Sequence, residues 1–96
     1  MTSAGPHTRH PNLWPPFTQL ARSEPPHRVA SADGALLHLE SGASLIDAIS
    51  SWWVTLHGHA HPKLAAAVHD QARTLEQVIF ADFTHAPAER LAERLS

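Results

Sequence analysis

The sequence contains no cysteine, which excludes a disulfide scaffold, a thiolate nucleophile and a Cys-ligated zinc site. An uncrosslinked chain of this kind is compatible with a reducing compartment. Lysine occurs once, as Lys63, so amine chemistry has a single candidate, at the start of a predicted helix with nothing nearby to activate it. The seven Lys and Arg residues are scattered and outnumbered by nine Asp and Glu, for a formal net charge of −2. No basic stripe exists for a phosphate backbone to lie against, so nucleic acid is not an expected partner. Residues 1–16 hold no apolar signal-peptide core. The longest aliphatic run, Leu64 to Val68, is far short of the ~18 residues that span a bilayer. The expectation is a soluble cytoplasmic protein with no membrane association. Gly-x-Ser-x-Gly, Gly-x-Gly-x-x-Gly and the Gly-Lys-Ser/Thr phosphate loop are also missing. With 96 residues there is room for one small domain, and a folded chain of this size buries only ~60–65% of the surface it exposes when unfolded.

What the sequence does have is histidine and tryptophan, nine and three residues respectively. Histidine titrates near neutrality, so the net charge changes sign in mild acid. Residues 1–26 carry six of the eight prolines and read as an extended arm. Within it, Trp14-Pro15-Pro16-Phe17 forms a stiff aromatic clamp, because each proline fixes its own φ and restricts its predecessor. Read locally, its two rings are anchors that pin the arm to a core.

From Arg28 the apolar period becomes two, over Arg28–Ser31, Ala35–Leu39 and Ser44–Asp47. This predicts a three-stranded antiparallel meander. Asp33-Gly34 is suited to a type I′ hairpin, and Ser41-Gly42 supplies the second turn. Leu37 and Leu39 point to one face and Leu36 and His38 to the other, an imperfect alternation that suits a sheet covered on both sides. Residues 50–61 keep neither period and read as a loop. A helix is predicted from Pro62, a favoured first helical residue, to about Leu75, with Leu64, Val68, Gln71/Ala72 and Leu75 on one face. A second helix follows Phe83-Thr84-His85-Ala86-Pro87, with Leu91 and Leu95 on its stripe. It has no glycine C-cap and is expected to run on past Ser96.

Two motifs carry possible chemistry. His57, His59 and His61 alternate, a spacing that sometimes serves a metal, but no carboxylate lies among them. The favoured reading is a structured loop whose histidines bond backbone groups and cap the helix at Pro62, and no metal is expected. Trp52 and Trp53 cannot both enter one core from an extended chain, since successive side chains point to opposite faces. One of them is free to wall a planar or alkyl ligand, and simple packing is the alternative.

Taken in order, Leu13-Trp14-x-Pro16-Phe17-Thr18-Gln19, Leu45-Ile46-Asp47-Ala48-Ile49-Ser50-Ser51-Trp52-Trp53, His57-Gly58-His59-x-His61-Pro62, Val78-Ile79-Phe80 and Thr84-His85-x-Pro87-Ala88 resemble the N-terminal region of the biotin-pathway class III pyridoxal-phosphate aminotransferases. The resemblance runs from about Leu13 to the last residue. It implies that this α+β piece belongs to a fold-type I transferase, α/β when complete. Residues 1–26 would form the arm, 27–84 the small-domain meander, aromatic and histidine loop and helix, and 85–96 the start of the first large-domain helix. It further implies a homodimer, pyridoxal 5'-phosphate as cofactor, and transfer of an amino group from S-adenosylmethionine to 7-keto-8-aminopelargonate. Phe17 and Trp52 would contact substrate, with Trp53 and Ile79 as further pocket-lining candidates. The Schiff-base lysine has no counterpart here, since Lys63 does not match its position, so no catalytic residue is assigned and the 96 residues alone are expected to be inactive. The chain departs from the family pattern at Pro15, where histidine is usual, and at Phe17, where some members have tyrosine and thus one more hydrogen-bond donor. The alternatives are another class III aminotransferase, or a non-catalytic relic or binding module.

Overall fold

The computed structural model describes residues 9–96; the first eight residues of the expected arm lie outside the described part. Two compact units are present, Met1–His61 and Pro62–Ser96.

In the first unit, the period-two segment folds as expected into a three-stranded antiparallel sheet of order β1-β2-β3, from Val29–Asp33, Leu36–Leu39 and Ser44–Ile46. Pairing runs from Asp33 opposite Leu36 to Val29 opposite Leu39, with a register shift between Val29 and Ser31. The extra residue, Ala30, makes a bulge that twists the edge strand. On the other side Leu36 faces Ile46 and His38 faces Ser44. The register sorts Ala32, Leu37, Leu39 and Leu45 to one face, and Ser31, Asp33, His38 and Ser44 to the other together with Leu36 and Ile46. An Arg28–Glu40 ion pair of 2.9 Å closes the open end of the hairpin. Both groups are well exposed, so it contributes little.

The hairpin turn differs from expectation. Asp33 is still paired in the strand, and positive φ falls on Gly34 (52°) but not on Asp33 or Ala35. A type I′ turn needs positive φ at both central residues; here Gly34 takes the first central position, as in the II′ arrangement. The Gly42 turn forms as expected, with φ of 91° and its N–H donated to the Leu39 carbonyl at 3.0 Å.

Of the described residues, only Leu39 qualifies as buried apolar core, at 9% exposure. Neither sheet face is covered to the extent the sequence suggests, and the paired Ile46 and Leu36 remain exposed.

In the second unit, Pro62–Thr74 forms α2 as expected; at its end the Leu75 N–H donates to the Gln71 carbonyl and the Gln71 side-chain amide donates to the Leu75 carbonyl, both at 2.8 Å. Residues 75–85 contain no regular element, and Ala86–Leu95 forms α3. His85 is its N-cap: the backbone is extended and Nδ1 accepts from the Ala88 N–H at 3.2 Å. The Phe80 ring, 5.3 Å away and edge-on, fixes that imidazole. Glu89 in the first turn and Arg94 in the last complement the helix dipole. Among the described residues no helix is long and apolar enough to cross a membrane.

Candidate functional site

The segment after β3, expected to be a loop, contains a tight helical turn of unusual hand, α1, at Ser50–Trp53. Four consecutive non-glycine residues have positive φ: Ser50 at 49°, Ser51 at 47°, Trp52 at 65° and Trp53 at 68°. Left-handed helical backbone costs about 1–2 kcal/mol per residue and is normally confined to single residues, so this run stores roughly 4–8 kcal/mol of strain. Such a conformation persists only where the surroundings over-determine it.

The over-determination comes from Asp47. Its N–H donates to the Ala35 carbonyl at 2.8 Å, tying it to the hairpin. Its carboxylate then folds over the turn: Oδ1 accepts from the Ser51 N–H at 3.0 Å, and Oδ2 accepts from Ser51 Oγ–H at 2.7 Å and contacts His59 Nε2 at 2.6 Å. An ionised carboxylate can only accept, so Nε2 carries the proton. The two side chains are 6% and 16% exposed. The hydrogen bonds from Ser51, side chain first and backbone second, and then that from His59, lower the Asp47 pKa from 3.8 to about 2. His59 is itself tethered by two main-chain bonds to Gly34, of 2.8 and 3.1 Å. Gly58, with φ of 83°, lets the two segments approach this closely, since a Cβ there would lie 3.0 Å from Gly34 Cα.

This corrects the sequence reading of the histidines. The side chain of His59 bonds a carboxylate twelve residues upstream rather than a backbone group, and His61, just ahead of α2, has Nδ1 buried without a partner. The imidazole cap appears instead at α3. His57 and His61 meet edge to face at 6.3 Å, and no three metal-ligating groups gather among the described residues.

The turn also changes the tryptophan argument, which assumed an extended chain. In a helical turn the two indoles diverge by a rotation about an axis rather than by alternation. Trp52, 56% exposed, stands 5.6 Å from the Phe17 ring at a 58° tilt, within the 4.5–7 Å range of favourable aromatic pairs. Trp53 is exposed beside it. Phe17 has φ of 53° and is 93% exposed, so the arm's aromatic residues are not buried anchors. The Trp14 indole N–H donates to the Thr18 carbonyl at 2.9 Å, and Thr18 Oγ–H to the Pro16 carbonyl at 3.0 Å. These bonds fix a bend from Trp14 to Thr18 that presents the Phe17 ring outward. The structure thus brings Phe17 and Trp52 together as an open aromatic platform, with Trp53 adjacent in the chain. Ile79 belongs to the second unit, exposed between α2 and α3.

A second polar constellation crosses the sheet: Ser44 Oγ lies 3.0 Å from His38 Nδ1, and Asp33 Oδ2 lies 2.6 Å from His38 Nε2. The distances resemble those of a hydrolase triad. However, the Asp33 side chain is 72% exposed, so water competes for it, and Ser44 is simply the cross-strand neighbour of His38. It is a pin across the polar face of the meander.

Asp47 is the residue that sequence reasoning missed. Its signal was the Asp47-x-x-x-Ser51 spacing, which lets a carboxylate at the end of a strand accept from main-chain and hydroxyl donors four residues on.

Comparison with known proteins gives a consistent result. The profile of the aminotransferase class-III family matches residues 19–96. The adenosylmethionine-8-amino-7-oxononanoate aminotransferase of Synechococcus elongatus is 57% identical over 86 residues, covering 90% of this chain and 20% of the relative. The protein of the same name from Corynebacterium glutamicum is 43% identical with the same coverage. Among solved structures, the adenosylmethionine-8-amino-7-oxononanoate aminotransferase of Methanocaldococcus jannaschii superposes with a TM-score of 0.80 at 27% identity, over 88% of this chain and 20% of that one. The chain therefore spans about one fifth of the length of the relatives it matches. By profile match and by identity alike, the chain belongs to the class-III aminotransferase family.

Proposed function

We propose that this chain forms the N-terminal part of a cytoplasmic, homodimeric aminotransferase that moves an amino group from S-adenosylmethionine to 7-keto-8-aminopelargonate (8-amino-7-oxononanoate), giving 7,8-diaminopelargonate. Phe17 and Trp52 are its substrate walls. The observation that carries this reading is the pairing of two sequence-distant aromatic rings, 5.6 Å apart, in a chain 57% identical to a relative named for that reaction. Phe17 keeps nearly all of its ring open to a ligand, and flat apolar surfaces of this kind suit an adenine ring or an alkyl chain.

Class III aminotransferases use pyridoxal phosphate. The described residues of this chain do not make a seat for that group: Lys63, the single lysine, is exposed in the first turn of α2 rather than enclosed where an imine must be shielded from water. In this reading the residues that hold the cofactor lie in the remainder of a longer chain, and this piece contributes the walls that orient substrate.

The test is a chimera in which these residues replace the matched segment of the Synechococcus relative. Formation of 7,8-diaminopelargonate that depends on S-adenosylmethionine, and that falls when Trp52 becomes alanine, is the expected result. A folded, cofactor-loaded chimera that transfers amino groups between other partners but not these two would assign the chain to another class III activity.

A further inference from the structure

Resting on the reading above, we propose that Asp47 is a positioning residue: by clamping Ser51 in the left-handed turn it holds Trp52 against Phe17, and so sets the affinity for the substrate that stacks there.

Residues 50–53 hold a conformation the backbone abandons unless it is restrained. Restraint on Ser51 is the effective place for it, because Ser51 immediately precedes Trp52 and is gripped at two points, N–H and Oγ–H, by the two oxygens of one carboxylate. The grip is rigid on its other side as well. Asp47 is fixed to Ala35 through its own N–H, and His59, which closes the second flank of the carboxylate, is fixed to Gly34 through both main-chain groups. The hairpin turn, Asp47, Ser51 and Trp52 thus form a continuous series of short bonds ending at the Phe17 ring.

The same geometry argues against a direct chemical role for this aspartate. Both oxygens already accept from donors of the protein itself and the side chain is nearly fully covered, so it presents almost no surface to a substrate. A depressed pKa also makes it a weak base. A wall that contacts substrate equally in the ground state and the transition state changes KM and leaves kcat alone. Loosening the wall is therefore expected to act on KM.

The experiment is a double-mutant cycle in the chimera. Asp47→Ala is expected to raise KM for 7-keto-8-aminopelargonate roughly three- to tenfold, the worth of an aromatic contact, with kcat within about twofold. Asp47→Asn, which keeps an acceptor for the Ser51 N–H, is expected to restore part of the loss. The Asp47→Ala, Trp52→Ala double variant is expected to match Trp52→Ala alone, because the clamp has nothing left to hold. Independent multiplication of the two losses, or a loss confined to kcat, overturns the proposal. If Asp47→Ala fails to fold, Ser51→Ala in the same cycle with Trp52→Ala decides the question by the same criteria. A chimera that folds but is inactive overturns the functional reading, and the clamp is then judged by spectroscopy alone. In the chimera labelled with 5-fluorotryptophan, the fluorine resonance lost in Trp52→Phe reports on Trp52, and Asp47→Ala or Ser51→Ala is expected to change its shift and narrow its line. No change in either quantity refutes the clamp.

Discussion

Replacing Gly58 by alanine probes the close approach on which the site depends. At Gly58 two penalties coincide. The φ of 83° forces any L side chain into left-handed backbone, and a Cβ would meet Gly34 Cα at 3.0 Å and its carbonyl carbon and oxygen at 3.3 Å. The first penalty is about 1–2 kcal/mol. The obstructing atoms of the second are backbone, which cannot rotate aside, so overpacking adds about 1–3 kcal/mol. Gly42 is the internal control: its φ is 91°, but nothing lies within 4 Å of the added methyl, so only the conformational penalty applies. In the chimera, amide exchange of the segments containing Gly34 and His59, whose N–H groups bond each other's carbonyls, reads the local opening. Gly58→Ala is expected to speed it by roughly 30- to 4000-fold, from about 2–5 kcal/mol at 1.4 kcal/mol per factor of ten, whereas Gly42→Ala leaves those two amides close to the parent. If Gly58→Ala changes their exchange no more than Gly42→Ala does, the close contact is not what holds His59 beside Asp47.

Three further outcomes follow from the same geometry. Asp47 has its folded pKa lowered from 3.8 to about 2, so its contribution is complete above the unfolded value and disappears as pH falls through the folded one. Acid titration followed at the Trp52 fluorine resonance of the labelled chimera is accordingly expected to show a step between about pH 4 and pH 2 that Asp47→Asn removes; an identical step in the variant would refute the assignment. His85→Ala removes the cap on the Ala88 N–H and is expected to destabilise α3 by about 1 kcal/mol, visible as faster exchange in residues 86–90 and absent from α2. The isolated 96-residue chain is expected to show no sharp two-state thermal transition and to retain no pyridoxal phosphate absorbance after gel filtration. Among the described residues the large apolar side chains are mostly exposed and only Leu39 is buried, whereas ordering each residue costs about 1–2 kcal/mol in backbone entropy alone. A cooperative transition of the monomer would contradict this.

The parts of the fold legible in the sequence are those whose cause is local. Period-two patterning located the three strands, Pro62 marked the start of α2, and the His85-Ala86-Pro87 sequence marked the start of α3. What stayed illegible depends on contacts between distant residues. Nothing in Ser50-Ser51-Trp52-Trp53 suggests positive φ, because left-handed backbone is associated with glycine and asparagine, and the reason for it is a carboxylate four residues upstream. The partner of His59 was hidden for a similar reason: Asp47 is twelve residues away in sequence and is brought within 2.6 Å only after Gly34 and His59 have paired.

The pairing of Phe17 with Trp52 shows where resemblance and physics contribute different things. Resemblance named both residues, while composition and periodicity offered only two aromatic anchors and an ambiguous tryptophan pair. The geometry supplies what neither provides, a reason for this particular indole to face Phe17. The chain spends unfavourable backbone energy at residues 50–53 in a region with almost no core to repay it, and it recovers part of that energy through bonds that converge on Ser51. Packing alone would not select so strained a turn, because an unstrained right-handed turn could bury an indole equally well. Strain held by polar bonds beside an exposed ring is the pattern expected where the direction of a side chain matters more than its burial.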